Sequence, residues 1–252
     1  MLSTELREFA RDPVAYLEPS GAEVIDTERY FAAIVADGKY VNVCRLCFEP
    51  DDAPGVLAEV RALAPRAVGS WQTHSNALAS ALVGAGARPP APPLDWEFTA
   101  LATEVEPPEV DGIDVRRIES FDDYLVGLEI ALTAEQYTDE VRASRRAEAE
   151  ATWKRRKDGP SMEWLASIDG EPVAHARAFP GSRGLLLDGG ATAPHARGRG
   201  AYRALIAARW QEAVARGTPA LVVQAGDMSR PILERCGFER VCTMYEVEHD
   251  PL

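Results

Sequence analysis

A glycine-rich turn between an apolar strand and a long helix is the feature that most limits how this chain can fold. Its parts are a strand over 185–188, glycines at Gly189, Gly190, Gly198 and Gly200, arginines at Arg197, Arg199 and Arg203, and a helix over 200–215. Glycines allow a tight turn with inward N–H groups, and a helix N-terminus adds positive charge. The stretch predicts a site for a phosphorylated ligand. A glycine-rich turn that only ends a strand stays open as the alternative.

The turn does not fit either of the two common nucleotide-binding loops. A P-loop requires a lysine after its last glycine, and no lysine follows the glycines here. A dinucleotide fingerprint requires G-x-G-x-x-G after the first strand of a parallel unit. The run at 198–200 supplies only its first half, and it follows predicted hairpins. The ligand class must therefore come from the surrounding pattern.

The order of elements after the prolines at 107–108 predicts the fold class. Strands are predicted at 113–118, 162–168, 172–179, 185–188, 220–224 and 238–247, and helices at 121–132, 139–157, 200–215 and 229–235. Asp169-Gly170 is a strong hairpin signal between two of these strands. Hairpins followed by a crossover helix predict an α/β (α+β) fold, with a mixed, mostly antiparallel central sheet and helices on both faces.

Two motifs in this order resemble those of the GNAT (GCN5-related) N-acetyltransferase family. The run at 197–202 resembles the family's Q/R-x-x-G-x-G/A loop, except that Tyr202 replaces the last glycine or alanine. The run at 229–239 resembles the family's later helix, which ends in a G-F-E-like turn. The resemblance extends over 111–250 and implies the acyl-CoA N-acyltransferase fold.

The resemblance also implies which residues hold acetyl-CoA. The loop and helix start would bind the cofactor through Arg197, Gly198, Arg199, Gly200, Ala201, Tyr202 and Arg203, together with Ser229. Gly190, Ala191 and Thr192 match the strand that holds the acetyl group and pantetheine arm, where a backbone N–H could stabilise an oxyanion. A purely structural bulge at the glycines is the alternative.

Candidate catalytic residues follow from the need to take a proton from a protonated amine. Asp188 is the first candidate base, with a charge at the solvent end of a strand as the alternative. His175 is a second candidate, against which a satisfied structural histidine is the favoured alternative. The family's usual tyrosine acid falls at Leu233, and its usual CoA-contacting asparagine falls at Gly226. Tyr202 and Tyr245 remain as candidate acids, with core packing as the alternative.

The N-terminal part of the chain is interpreted as a degenerate second copy of the same fold. Helices are predicted at 4–17, 26–36 and 53–63, with a further helix capped by Ser75, and strands at 39–48, 67–72 and 96–102. A proline-rich linker at 88–93 supports a division into domains 1–106 and 107–252. The first domain has no R-x-x-G-x-G loop, so we expect it not to bind CoA. Whether it shapes the acceptor cleft stays open.

The composition of the chain limits which kinds of partner and which cellular compartment we expect. The net charge is −13, which disfavours nucleic-acid binding and is compatible with a cationic substrate. No apolar stretch approaches the ~20 residues of a membrane span. The chain shows no signal peptide, and we expect a cytoplasmic protein. Cys44 and Cys47 form a C-x-x-C within a predicted strand, without the helix start or second pair that redox or zinc sites require.

The sequence thus predicts an N-acetyltransferase that uses acetyl-CoA and no metal. The acceptor is an amine of a small molecule or a protein, and the sequence does not identify it. A longer acyl group, a homodimer, and the rival function of a non-catalytic acyl-CoA-binding module all stay open. A fold alone does not fix a substrate.

Overall fold

The computed structural model describes residues 1–18, 21–36, 38–90, 96–134 and 137–252. The helices are α1 Thr4–Arg11, α2 Ala53–Leu63, α3 Asn76–Gly84, α4 Phe121–Ala134, α5 Asp139–Ala147, α6 Ala149–Lys157, α7 Ala201–Ala215 and α8 Arg230–Arg235. The strands are β1 Glu23–Asp26, β2 Phe31–Val35, β3 Tyr40–Cys44, β4 Val68–Thr73, β5 Glu97–Thr103, β6 Asp114–Arg117, β7 Met162–Ile168, β8 Glu171–Gly181, β9 Gly184–Thr192, β10 Leu221–Ala225 and β11 Glu239–His249. Short 3₁₀ turns lie at Pro13–Tyr16, Pro50–Asp52 and Pro194–Ala196.

All of these strands form one 11-stranded sheet in the order β1-β2-β3-β4-β11-β5-β10-β9-β8-β7-β6. The pairs β3·β4 and β9·β10 are parallel, and the remaining neighbours are antiparallel. The predicted mixed, mostly antiparallel sheet is therefore confirmed.

The sheet order has an approximate two-fold symmetry about its centre. Met244 on β11 pairs with Phe98 on β5. Outward from that pair, Gln72 lies opposite Glu246 on one side, and Gln224 lies opposite Ala100 on the other. Each half thus places its last strand inside the other half. The predicted boundary after residue 106 does not divide the sheet into two separate sheets. The division of the chain into two domains stays a prediction from the sequence.

Helices cover both faces of the sheet, as predicted. Helices α2, α3 and α7 pack on one face, where the buried side chains include Val56, Leu82, Leu205 and Trp210. Helices α1 and α4 pack on the other. We call these the α7 face and the α4 face. Alternate residues of β9 point to opposite faces, so Leu187 packs toward α7 and Leu186 toward α1.

The predicted helix at 26–36 is wrong, because this segment forms the hairpin of β1 and β2. The Thr27 hydroxyl closes the turn by donating to the Tyr30 carbonyl at 2.9 Å and accepting from the Tyr30 N–H at 3.0 Å. Strand β2 is buried along most of its length, so its sequence shows no alternation of apolar and polar residues. That pattern cannot be told from a short buried helix.

Two predicted helices have different bounds from those observed. The helix predicted at 4–17 ends at Arg11, because Asp12 precedes a proline and adopts φ −129° and ψ 58°. The helix predicted at 139–157 divides into α5 and α6 at Glu148. Neither glycine nor proline stands at this break.

Several local predictions are confirmed. Helix α2 has the predicted bounds, and Ser75 caps α3 by accepting from the Leu78 N–H at 3.3 Å. Asp169 and Gly170 both have positive φ, at 53° and 82°, as the predicted two-residue hairpin requires. Residues 91–93 of the predicted linker lie outside the described residues.

The two cysteines of the C-x-x-C differ in their surroundings. Cys44 is buried, and burial raises the pKa of its thiol to about 12, whereas Cys47 is exposed. Across the described residues, no cluster of His, Cys, Asp and Glu could hold a metal ion. In the same part of the chain, no helix is long and apolar enough to cross a membrane.

Candidate active site

Strands β9 and β10 run side by side only over their first residues. Residues 185–187 pair with 221–223, and both strands then continue without pairing to each other. Residues 188–192 of β9 therefore leave an edge that no β10 residue covers. An uncovered edge of this kind offers backbone groups to a ligand.

A bulge in β9 lies at this edge, where the glycine pair is found. The register with β8 shifts between His175 and Arg177, so that Gly189 and Gly190 stand opposite one residue of β8. Gly189 has φ +60°, and a Cβ built at Gly190 would lie 2.6 Å from Cε2 of Tyr202. Both conditions require glycine, and both glycines are exposed.

The turn before α7 presents backbone N–H groups that no protein acceptor occupies. Five backbone N–H groups of this turn have no acceptor among the described residues, neither a backbone carbonyl outside α7 nor a side chain. They belong to Gly198, Gly200 and residues 201–203. Gly198 and Gly200 have φ values of +78° and +96°. These amides stand at the N-terminus of a 15-residue helix. The arrangement suits an anionic group such as a pyrophosphate.

The three arginines of this turn differ in what they contact. Arg197 Nη2 donates to the Ala134 carbonyl at the end of α4, at 2.9 Å, so its guanidinium ties the turn to that helix. Arg199 lies 3.4 Å from Asp169, and both side chains are well exposed. Arg203 is exposed on the first turn of α7. Arg199 and Arg203 are therefore better placed for phosphate than Arg197.

Asp188, the first predicted base, forms an ion pair on the α4 face. It accepts from Arg177 Nε at 2.8 Å and also contacts Arg177 Nη2. Burial alone would raise the pKa of Asp188, but the charge and hydrogen bonds of Arg177 outweigh it, so the pKa is lowered. A carboxylate held in this way is a weak proton acceptor. Its pairing favours an electrostatic role over the predicted role as base.

His175, the second predicted base, belongs to a buried chain of charged groups. Its Nε2 lies 2.7 Å from Glu163, and Glu163 accepts from Arg156 Nη1 at 2.9 Å. His175 is 6% exposed, and its Nδ1 has no hydrogen-bond partner among the described residues. Burial would raise the pKa of Glu163, but its contacts with His175 and Arg156 lower it. This arrangement favours the structural alternative for His175.

Tyr202, a predicted acid, packs against the same core cluster that contains Leu233. Leu233 is 0% exposed, within the core of the α7 face. The Tyr202 ring contacts the Gly190 position and lies near Cys236, the residue that follows α8. Burial raises the pKa of Tyr202, although the nearby Arg209 partly opposes this. The hydroxyl therefore stays protonated at neutral pH.

The remaining predicted residues differ in their exposure and in their position relative to the uncovered edge of β9. Gly190 is exposed, Thr192 is half-buried, and the Ala191 side chain is buried. Ser229 stands at the start of α8, where its hydroxyl lies 3.4 Å from the Gly226 carbonyl. Tyr245 packs against Trp96 at 5.7 Å between ring centroids, on the α7 face of the N-terminal half. The position of Tyr245 does not favour a role as the acid.

A row of polar side chains on the α4 face was not predicted from the sequence. Leu187 of β9 pairs with Val223 of β10, and Asp188 and Gln224 are the residues that follow them. Both therefore point to the α4 face. Gln224 Nε2 donates to Gln72 Oε1 at 2.9 Å, and Gln72 pairs with Glu246. We call Asp188, Gln224, Gln72 and Glu246 the polar row. The polar row extends from the uncovered edge of β9 across the centre of the sheet, so both halves of the chain contribute to it.

Glu246 differs from the other carboxylates of this face because it has no cationic partner. Ser70 Oγ donates to it at 2.6 Å, and no lysine or arginine among the described residues forms an ion pair with it. Burial raises its pKa, and the charges of Glu248 and Asp188 act in the same direction. Strand alternation could have placed Glu246 on this face, but no sequence pattern reports its lack of a counter-ion.

Comparison with known proteins agrees with this geometry. Residues 128–238 match the sequence model of the Acetyltransferase (GNAT) family. A GCN5-related N-acetyltransferase from Kribbella flavida matches with a TM-score of 0.68 at 18% identity, over 98% of this chain and 96% of that one. A tandem GNAT protein from the clavulanic acid biosynthesis pathway matches with a TM-score of 0.52 at 14% identity, over 99% of this chain and 89% of that one. No curated protein matches the sequence.

These structural matches show a shared fold over nearly the whole chain. Because the sequence identities are low, they do not indicate which substrate this protein uses. The family match is a separate finding, and it covers α4 from residue 128, the uncovered edge of β9, the glycine turn and α8. Residues 128–238 thus match the Acetyltransferase (GNAT) family model, and the chain as a whole shares the fold of GNAT proteins.

Proposed function

We propose that this protein is an N-acetyltransferase that moves the acetyl group of acetyl-CoA to a cationic primary amine. The observation that carries this proposal is the set of backbone amides at Gly198, Gly200 and 201–203 that have no acceptor among the described residues, next to the uncovered edge of β9. A helix start with free amides suits the pyrophosphate, and a free strand edge suits the amide groups of the pantetheine arm. Together they fit a long ligand with an anionic end and a peptide-like arm.

The loop residues would hold acetyl-CoA mainly through the backbone. Gly198 and Gly200 shape the turn, the amides at 201–203 face the anion, and the side chains of Arg199 and Arg203 add charge. Arg197 holds the turn against α4 instead of contacting phosphate. A backbone N–H beside the bulge at Gly190 would stabilise the charge that develops on the thioester oxygen.

Glu246 supports a cationic acceptor. A half-buried carboxylate without a bonded cation is unfavourable unless a ligand supplies the positive charge. Gln72 and Gln224 of the polar row add amide groups that can orient an amine. The protein's net charge of −13 also favours the approach of a cation.

Glu246 is also a better candidate proton acceptor than the residues predicted from the sequence. Its pKa is raised, while that of Asp188 is lowered by Arg177. A general base works best when its pKa lies near the working pH. In this proposal Asp188 contributes negative charge beside the amine, Glu246 accepts the proton directly or through water, and Tyr202 is the candidate acid.

The N-terminal half would contribute to the acceptor side and would not hold a cofactor. Its helix α2, which corresponds to α7, begins after Glu49, Asp51 and Asp52. These carboxylates would repel a phosphate. Ser70 and Gln72, by contrast, reach the polar row from this half.

The rival function, a non-catalytic acyl-CoA-binding module, is favoured by the burial of Leu233 at the family's usual acid position. A turnover assay separates the two functions. Thioester absorbance would be followed with acetyl-CoA and propylamine, phenethylamine, putrescine or a peptide amine. An enzyme accelerates thioester loss with at least one amine, whereas a binding module binds acetyl-CoA and leaves the rate unchanged with all of them.

The same assay tests the acceptor side. Glu246→Gln should raise the KM of the amine about tenfold or more, corresponding to ~1.4 kcal/mol, because the cation loses its carboxylate partner. The Kd of acetyl-CoA should stay the same. Glu239→Gln is the matched control, since Glu239 lies on the same strand and is half-exposed. An amine KM that Glu246→Gln leaves unchanged would remove Glu246 from the acceptor site.

A further inference from the structure

Arg209 is a buried cation in the core between α7 and the sheet. It is 1% exposed. Its Nε donates to the Leu205 carbonyl at 2.9 Å, and its Nη1 donates to the Arg177 carbonyl at 3.2 Å. Its Nη2 has no hydrogen-bond partner among the described residues. Both bonds that it makes are to neutral carbonyls, and the charge of Asp188 acts on it without an ion pair.

A guanidinium in this position is unfavourable for folding. When a guanidinium is removed from water and no carboxylate binds it, its charged form is disfavoured. Burial lowers the pKa of Arg209 for this reason. An apolar side chain of similar length would fill the same buried space between α7 and β8 without that cost. The presence of a cation here points to a role other than packing.

The location of Arg209 joins it to two parts of the site. The Arg177 carbonyl that it binds belongs to the β8 residue where the register shifts opposite the glycine bulge. Its other neighbour is Tyr202, seven residues earlier on the same helix and therefore on the same face. The nearby guanidinium opposes the rise in the pKa of Tyr202, and the Tyr202 ring lies against Gly190.

We propose that Arg209 is a positioning residue that holds the Tyr202 hydroxyl beside the bulge, so that Tyr202 can protonate the departing thiolate of acetyl-CoA. This inference rests on the proposed function. It also accounts for Leu233, because a proton donor on α7 makes a donor on α8 unnecessary. The unpartnered Nη2 is then the donor that steadies the phenolate oxygen once its proton has left.

The step balances in atoms and charge. The ammonium gives one proton to Glu246 or water, and the neutral amine nitrogen forms a bond to the acetyl carbon. The bond between that carbon and sulfur breaks, and the nitrogen releases its second proton to solvent to give the amide. The electron pair of the broken bond stays on sulfur, which takes the Tyr202 proton to give the free thiol. The phenolate, paired with Arg209, regains a proton from solvent before the next turnover.

The experiment is a double-mutant cycle of Tyr202→Phe and Arg209→Met, measured with acetyl-CoA and the most rapidly acetylated amine among those assayed. Tyr202→Phe should lower kcat by roughly 100-fold while the Kd of acetyl-CoA, measured by calorimetry, stays within about twofold. Arg209→Met should cause a similar loss of kcat. When Tyr202→Phe is already present, Arg209→Met should change kcat by less than about twofold, because its partner has been removed.

Two further measurements keep the inference testable if Arg209→Met folds poorly. Arg209→Lys keeps the charge and should retain more of kcat than Arg209→Met. Tyr202→Phe removes one hydroxyl and leaves the Arg209 contacts to Leu205 and Arg177 in place, so its kcat is decisive by itself. Thermal unfolding of each variant shows whether a loss of kcat follows from a loss of structure.

The outcomes separate this inference from the function on which it rests. An unchanged kcat in Tyr202→Phe, or losses that simply add in the double mutant, would overturn the role of Arg209 while acetyl transfer by the wild type stands. Failure of the wild-type protein to bind acetyl-CoA would remove the proposed function and this inference together.

Discussion

Single residues on the α4 face differ mainly in whether a counter-ion accompanies them. Asp188 has Arg177, and Glu163 has Arg156 and His175, so each carboxylate keeps its charge at neutral pH. Among the residues that the structure describes, Glu246 has only the Ser70 hydroxyl as a hydrogen-bond partner, and burial raises its pKa. In the proposed function, this difference is the reason to give the charge-holding role to Asp188 and the amine-facing role to Glu246.

The raised pKa of Glu246 predicts a dependence of stability on pH. The unfolded state ionises near the ordinary value of 4.5, whereas the folded state ionises at a higher pH. The free energy of unfolding should therefore fall as pH rises from 4.5 through the folded pKa. Glu246→Gln should be more stable than the wild type at neutral pH and lose that advantage near pH 4.5 and below.

Urea unfolding of both proteins across this pH range measures the effect. Putrescine, if it binds at Glu246, should reduce the difference at neutral pH by supplying the missing cation. Equal stability of the two proteins at every pH would mean that Glu246 is not buried without a partner.

At the scale of elements, the position of α4 over the site depends on a glycine. A Cβ built at Gly127 would lie 2.8 Å from Cδ2 of His175 and 3.3 Å from Cδ1 of Ile118. Gly127→Ala should therefore lower the free energy of unfolding by about 1–3 kcal/mol through overpacking. It should also disturb the chain of His175, Glu163 and Arg156.

Gly55 on α2 is the matched control for this substitution. A Cβ there meets no atom within 4 Å, so Gly55→Ala should raise the free energy of unfolding by about 0.5–1 kcal/mol, in line with helix propensity. Thermal or urea unfolding checks both changes. Destabilisation of the two variants to the same extent would contradict the close packing of α4 on β8.

The elements that the sequence predicted well are those whose local signals agree with their tertiary surroundings. Helix α2 and the turn at Asp169 and Gly170 follow from periodicity and turn chemistry. Strand β2 was missed because burial of nearly all its residues removes the alternation. The glycine turn and the residues that border it were found from sequence. Glu246 and Arg209 were not, because the absence of a partner is a property of the folded structure.

Arg209 nevertheless left a signal in the sequence. It stands on the same helical stripe as Tyr202, Leu205 and Ile206, where an apolar residue is expected. A charged residue on an otherwise apolar stripe is a reason to look for a function. The polar row left no comparable signal, because Gln72 and Gln224 are far apart in the chain and meet only across the sheet.

At the scale of the whole molecule, the two halves share their central strands. Strand β5 of the first half lies between β10 and β11, and β11 of the second half lies between β4 and β5. Neither half alone can complete the hydrogen bonds of its last strands. We therefore predict that the two halves form a single folding unit, and under the proposed function the first half would also supply part of the acceptor site.

Expression of residues 1–106 and 107–252 as separate chains tests this interdependence. Each fragment alone should show no cooperative thermal transition, because each lacks the strand that its neighbour inserts. Mixed or co-expressed fragments should recover a transition, as followed by circular dichroism. A cooperative transition in either isolated fragment would show that the halves fold independently.

Calorimetric titration with acetyl-CoA, in the wild type and in two glycine variants, tests the central claim most directly. Gly198 and Gly217 have the same φ of +78°, and a Cβ added at either would meet no atom within 4 Å, but they flank opposite ends of α7. Gly198→Val should weaken acetyl-CoA binding by about tenfold or more, roughly 1.4 kcal/mol, while Gly217→Val leaves it unchanged. Absent binding in the wild type, or equal affinity in both variants, would contradict a CoA site at the start of α7.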